Sequence, residues 1–479
     1  MANKCTYKVL FAVVVIFSMC GIVTAQGLNQ LEIMNAGYPR AFFFRNCEGL
    51  ARSGQMTFEQ WERTFTRLGG IEGKVFDEEI PNTSGRNIDF FTRFKKRHPG
   101  QLVLIHYNGD SRDPRFNAEK FFAGHWLYYN GCKLTKDVPA GEGESFLQVE
   151  DPRLFGINIG RFEDKNEDLV ICALTPEGKP DFSRAEQLEL IAKDQENKTL
   201  HVRRGAFGTR PLAWKKNQSY VAAHVTSGPW GKRSNLLWSY NYSVDCPRDP
   251  QGRTCVDILV DDLAVCFERG GNVELLDGVE FDVLKHYTYL YVRLRGVDVN
   301  ADGKIDRGLG EVNNPYGRGV IEFCRRLQNR LGTDKLILAD GCFISNQRAF
   351  GILNGIESEG WPDLHDMDIN KWSTGINRHR FWHTRCAAPV FHYVNHKYVK
   401  IIAGSPRAHI LKSIPLDTTR LVMAACHMMD AVFTSAVWPR PEDDEEIGIY
   451  DELRMGTANK TNWLGKPLAP PVQLALRDK

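Results

Sequence analysis

Residues 273–284, VELLDGVEFDVL, decide how this chain reads. The run is short, apolar and β-branched at its ends, as a buried strand is. Along a strand alternate residues share a face, so Gly278, Glu280 and Asp282 point together. Acids set on one face of an apolar strand are costly to bury without a partner or a task. Residues 351–360, GILNGIESEG, repeat the arrangement, with Glu357 and Glu359 on one face between Gly355 and Gly360.

Six further runs of the same kind surround these two. They are AFFFR (41–45), GKVFDEEI (73–80), QLVLIHYNG (101–109), DKLILADG (334–341), PVFHYVNHK (389–397) and MDAVFTSAV (429–437). Helix-length amphipathic stretches lie between them. In TFEQWERTFTRL (57–68), Trp61, Phe65 and Leu68 share one side and Thr57 is placed to cap the first turn. DFFTRFKKRH, VDILVDDLAVCFERGG, GRGVIEFCRRLQNRLG and TTRLVMAACHM read likewise. Eight strands alternating with helices predict a (β/α)8 TIM barrel of the α/β class. The interval between the third and fourth strands is too long for one crossover. It holds the β-rich segments SFLQVED, DLVICALT, LELIAKD and KTLHVRRGAFGT, separated by polar turns. The expected organisation is a signal peptide over 1–25, barrel over 26–132 and 221–479, and an inserted β-domain over 133–220.

Composition narrows the partners. With 61 basic and 59 acidic residues the net charge is +2, without the basic excess of a nucleic-acid binder. Aromatic residues make up 11% of the chain, including ten Trp, and such rings suit sugar faces. Lys4 and Lys8 precede the apolar run VLFAVVVIFSMCGIV and then Thr24-Ala25-Gln26, the pattern of a cleaved secretory signal. The run is shorter than the ~20 residues of a spanning helix, so an exported chain without a membrane span in its mature form is expected. Cys20 raises lipoprotein anchoring as the weaker alternative, because Met19 is a poor residue before a lipidated cysteine. In an exported chain Cys246 and Cys255, which bracket CPRDPQGRTC, are the pair expected to form a disulfide.

Barrel active sites lie at the carboxyl ends of the strands. Asp282, Glu357 and Glu359 are therefore the candidate catalytic acids, for one carboxyl to protonate a leaving oxygen while the other attacks or activates water. The bland alternative for Asp282 is an ion pair with a neighbouring arginine such as Arg45. Glu280, Asp340, His106, Asn108, His392 and Asn395 are candidate substrate-binding residues at other strand ends, with Glu78, Glu79, Asp110 and His396 near them. A metal-dependent hydrolase is a third reading, using His106, His392 and His396 with Asp282, although no H-E-x-x-H or H-x-H spacing supports it. Asp298, Asn300, Asp302, Lys304 and Asp306 occupy alternate positions around Gly303, as in the first nine positions of a Ca²⁺ loop. Position twelve is Leu309, and Glu311 is the nearest substitute. A structural Ca²⁺ is expected there, and no organic cofactor.

The chain resembles a family of bacterial glycoside hydrolases, distantly similar to α-galactosidase and polygalactosaminidase-type barrels. The resemblance rests on LLDGVEFDVL, LNGIESEGW, FFAGHWLYY, VRRGAFGTRP and YDELRMGTANKTNWLGKP and covers nearly all of the mature chain. It implies a glycosidase acting on a polysaccharide or oligosaccharide. The family's two acids, one after a D-G-x-x-x-D strand and one in a later strand ending in Glu, fall on Asp282 and Glu357. The rival reading is a non-catalytic carbohydrate-binding protein on the same scaffold.

Overall fold

The computed structural model describes residues 27–76, 85–160, 163–229, 235–286, 296–306, 314–341, 347–362, 371–396, 399–401, 408–410, 416–435, 447–453 and 462–472. The signal segment and Glu78, Glu79, Leu309 and Glu311 lie outside these residues. Eight strands, seven of them at their expected places, form one sheet. In chain order they are β1 (Phe43–Phe44), β2 (Gly70–Gly73), β3 (Leu102–Asn108), β4 (Gly278–Asp282), β5 (Leu336–Asp340), β6 (Gly355–Glu359), β7 (Tyr393–His396) and β8 (Val432–Ser435). Each pairs in parallel with the next. A parallel bridge between Ala41 and Phe433 brings β8 back beside β1, with Phe433 N–H donating to the Arg40 carbonyl at 2.9 Å. The result is a closed (β/α)8 barrel.

One strand is displaced from its expected place. β2 is GIEG, not GKVFDEEI, because Val75 and Phe76 leave the strand to pack outside the wall. The acid that faces the interior is consequently Glu72.

Strand alternation separates two apolar regions. Phe42, Phe44, Leu102, Leu104, Leu336, Leu338, Tyr393 and Val432 point inward, closed from below by Leu28, Leu31 and Ile33. The other face packs against the helices in a larger core. Those helices are α1 (Asn46–Ser53), α2 (Phe58–Phe65), α3 (Arg86–Arg97), α4 (Cys255–Phe267), α5 (Pro315–Leu331), α6 (Trp372–His383) and α7 (Leu416–Met429). Helix α2 starts where Thr57 and Gln60 form a reciprocal capping box, and Thr254 with Asp257 does the same for α4.

The β-domain lies between β3 and β4. Its six antiparallel strands run in the spatial order Cys132–Lys133, Ser219–Ala223, Asp168–Leu174, Pro180–Asp194, Thr199–Ala206 and Glu144–Gln148. It is fastened to the barrel side by Trp238, whose indole N–H donates to Asp168 at 2.7 Å.

The expected disulfide is absent. Cys246 and Cys255 are both free and buried, and the Cys246 thiol is directed at the Gly124 carbonyl instead. Among the described residues no helix is long and apolar enough to cross a membrane.

Candidate active site

Inside the barrel the leucine layer gives way, one residue pair further along each strand, to a polar layer at the carboxyl ends. Glu72, His106, Glu280, Asp340, Glu357 and Asn395 are all buried there. The register sets Glu280 opposite His106, Asp282 opposite Asn108, Asp340 opposite Glu357 and Glu359 opposite Asn395. Gly278 and Gly355 let the strands carrying these acids approach their neighbours. A Cβ at Gly278 would stand 2.1 Å from the Leu336 carbonyl oxygen, and one at Gly355 1.6 Å from that of Phe391.

The acids fall into two electrostatic groups. Oxygens of Glu280, Asp340 and Glu357 lie within 4.8 Å of one another. Burial pushes all three carboxyls up: Glu280 to about 7 against the opposing pull of His106, and Asp340 and Glu357, which neighbouring acids raise further, well above the carboxylate range. Glu280 Oε1 and Asp340 Oδ1 accept no hydrogen bond. Asp282 behaves oppositely. Burial opposes its ionisation, but His106 Nε2 at 3.3 Å and Lys74 Nζ at 3.9 Å hold its carboxyl far below the usual range. His106 Nδ1 is 2.7 Å from Glu280 and 3.2 Å from Glu72. Burial and Lys74 act to lower the imidazole, yet Glu280 and Asp282 outweigh them and raise it well above its ordinary value.

The backbone next to the site is strained. Val283, immediately after Asp282, takes φ 53°, a left-handed conformation costly for a β-branched residue. Its amide thereby donates to Asp340 Oδ2 at 2.8 Å.

Asp282, Glu280, Asp340, His106, Glu357 and Asn395 therefore come together, with Glu359 close enough to raise Asp340. Asn395 Nδ2 donates to Glu357 Oε1 at 3.1 Å. Asp282 has ion contacts with His106 and Lys74, and Arg45, whose Nε is paired with Glu48, also favours its ionised form. Asn108 serves the chain itself, its Oδ1 accepting the amides of Asp110 and Ser111.

His392 and His396 are corrections. Tyr393 and Asn395 face inward, so both histidines face the helices. His392 Nδ1 accepts the Ile356 amide, and His396 Nε2 lies 3.4 Å from Thr419 on α7. The metal-hydrolase trio with His106 does not assemble.

Sequence reading missed Glu72, Lys74 and Tyr393. Glu72 was legible only through alternation in a strand displaced from its hydrophobic signal. The Asp277 of the D-G-x-x-x-D motif is structural. It accepts from Lys95 Nζ at 2.7 Å and from the Val103 amide at 2.7 Å, at the opposite end of β4.

In the 298–306 loop, Asp298 accepts the amides of Asp302 and Gly303, and Asp306 accepts that of Val299. Lys304 N–H donates to Asp302, and Asn300 Oδ1 also accepts the Asp302 amide. Burial, with Asp306 and Asp302 adding to it, pushes Asp298 up to about 6.

No family model matches the chain, and no curated protein matches it. Among solved structures it is similar to pyruvate kinase from Pyrobaculum aerophilum, at 9% identity and a TM-score of 0.34, over 94% of this chain and 77% of that one. Pyruvate kinase from Cryptosporidium parvum is similar at 8% identity and a TM-score of 0.31, over 84% of this chain and 66% of that one. At those scores the likeness carries no activity to this chain.

The expectation of a glycoside hydrolase is nonetheless corrected, together with its carbohydrate substrate and the carbohydrate-binding alternative. The second acid, Glu357, is 1% exposed and tied to Asn395, not open to a cleft.

Proposed function

We propose that the barrel mouth is the active site of a divalent-cation-dependent enzyme acting on a small anionic substrate. One observation carries this reading: Glu280, Asp340 and Glu357 converge within 4.8 Å, all buried, and Glu280 Oε1 and Asp340 Oδ1 accept no hydrogen bond. Buried carboxylates so placed repel one another unless protons or a cation intervene. An all-oxygen set of this kind suits a hard ion such as Mg²⁺ or Mn²⁺. The ion would polarise a carbonyl, carboxylate or phosphoryl oxygen of the substrate. Lys74 at the end of β2 and the partly exposed Arg45 after β1 lie on the other side of the mouth, the side for the substrate's anionic group. Asp282, ionised and 22% exposed, is the carboxylate a substrate reaches. Burial keeps the thiols of Cys47, Cys172 and Cys324 protonated, so they favour no thiolate nucleophile.

Calorimetric titration of chelator-treated protein with Mn²⁺ tests the reading, followed by a panel of small carboxylates and phosphate esters with and without the ion. Cation binding and cation-dependent ligand binding are expected. No heat at millimolar Mn²⁺ sinks it.

Two sequence expectations stand beside this as proposals. The 298–306 loop is proposed to take a structural Ca²⁺. Calcium titration of Glu357→Gln isolates it from the mouth, and no heat or melting shift at millimolar calcium refutes it. Export is proposed from residues 1–25, with cleavage after Ala25. N-terminal sequencing of protein recovered from expressing cells should then begin at Gln26, and an intact N-terminus contradicts it.

A further inference from the structure

We infer that the mouth holds two divalent cations, with Glu280 as the shared ligand and Glu72 and His106 completing the second site. The inference rests on the cation reading above and deepens it. Besides the Glu280, Asp340 and Glu357 group, a second set of ligand atoms lies within 4.8 Å of one another, from Glu72, His106 and Glu280. Glu280 belongs to both. It is completely buried on β4, between the strand that carries His106 and the strand that carries Asp340.

The second set carries its own marks of a ligand site. Glu72 is fully buried, and its Oε2 accepts no hydrogen bond. Its Oε1 is held by the Tyr393 hydroxyl at 2.9 Å, which fixes the carboxylate's direction. Glu280 Oε1 is likewise unpartnered. His106 Nε2 is in ion contact with Asp282 Oδ2 at 3.3 Å but makes no hydrogen bond to it as placed. A histidine that ligates a metal through one nitrogen commonly donates the other N–H to a carboxylate. Here that assignment leaves Nδ1 facing Glu280 at 2.7 Å and Glu72 at 3.2 Å. A cation at this point takes the place of the Nδ1 proton between the two carboxylates.

The two sites differ in chemistry. The first offers oxygen alone, the second one imidazole nitrogen and two carboxylates, a mixed set that suits Mn²⁺ better than Mg²⁺. Two ions bridged by one carboxylate sit about 3.5–4 Å apart in known two-metal sites and clamp a substrate oxygen between them. Tyr393 acts as a positioning residue, and Asp282, besides facing the substrate, touches the ligand His106 and not the ions.

Electron paramagnetic resonance of the full chain loaded with Mn²⁺, with the metal counted by mass spectrometry, decides the matter. The expected result is an exchange-coupled manganese pair, reduced in Glu72→Gln to the signal of an isolated ion with one equivalent fewer per chain. One equivalent in the wild-type chain, or two ions without coupling, overturns the second site and leaves the first intact. No bound manganese overturns both. A coupled pair that persists in Glu72→Gln overturns the ligand assignment. If that variant fails to fold, the wild-type spectrum and count decide alone.

Discussion

At the scale of single residues, the same type of side chain takes opposite states within a few ångströms. Asp282 is held ionised by His106 and Lys74, while at Glu357 and Asp340 burial and neighbouring acids outweigh the single hydrogen bonds from Asn395 and the Val283 amide. Glu357→Gln and Asp340→Asn should therefore each weaken Mn²⁺ binding at least about 100-fold. Both should leave thermal unfolding of the cation-free protein unchanged or raised, because a repelling carboxylate is removed. Calorimetry with differential scanning checks both halves. Asp277, four residues before Phe281, does different work. Its buried pair with Lys95 means that Lys95→Met leaves an uncompensated charge, at a cost of about 3–5 kcal/mol in denaturant unfolding. Sequence reading grouped Asp277, Glu280 and Asp282 in one motif. Parity within the strand shows why they separate: Glu280 and Asp282 share the inner face, whereas Asp277 lies before the strand begins.

At the scale of elements, local chemistry explains the starts of α2, α4 and α5, each capped by a side chain. Thr57 and Gln60 satisfy each other's backbone amides at the head of α2. Thr57→Ala should cost about 1 kcal/mol of stability while cation affinity stays constant. The joint between the β-domain and the barrel is titratable. Burial pushes Asp168 up to about 8 against the opposing hydrogen bond from Trp238. Its folded value exceeds the unfolded value of about 4. The folded state thus keeps a proton the unfolded state has lost, and the associated stability is full below pH 4 and falls as pH rises through 8. Asp168→Asn keeps an acceptor for the Trp238 indole. It should flatten the melting temperature between about pH 5 and 8 and raise it at pH 9. A profile parallel to the wild type would show that the carboxyl is not protonated there.

At the scale of the whole molecule, the barrel sums the repulsion of six acids from four strand ends, β2, β4, β5 and β6, in one enclosed space. Ligand linkage then predicts that Mn²⁺ at about 100 times its dissociation constant stabilises the chain by roughly 2.7 kcal/mol per site. Melting with chelator against melting with Mn²⁺ measures this, and Glu280→Gln should abolish the difference because Glu280 belongs to both ligand sets.

By itself the sequence determined the number of strands, the places of all but β2, their order and the presence of a β-domain between the third and the fourth. Those properties follow from hydrophobic period and turn chemistry, which are local. It also placed Asp282, Glu280, Asp340 and Glu357 at strand ends, since alternation is local too. Only the tertiary structure decided which of these acids meet, because barrel closure and register bring together residues far apart in the chain. Register set Glu280 between His106 and the Asp340–Glu357 pair. Closure brought Tyr393 of β7 across the interior to Glu72 of β2. It also decided what the acids are suited to. Two carboxyls at strand ends read as a glycosidase pair, but three crowded together, with Glu280 Oε1 and Asp340 Oδ1 accepting no donor, are what the proposed cation reading rests on.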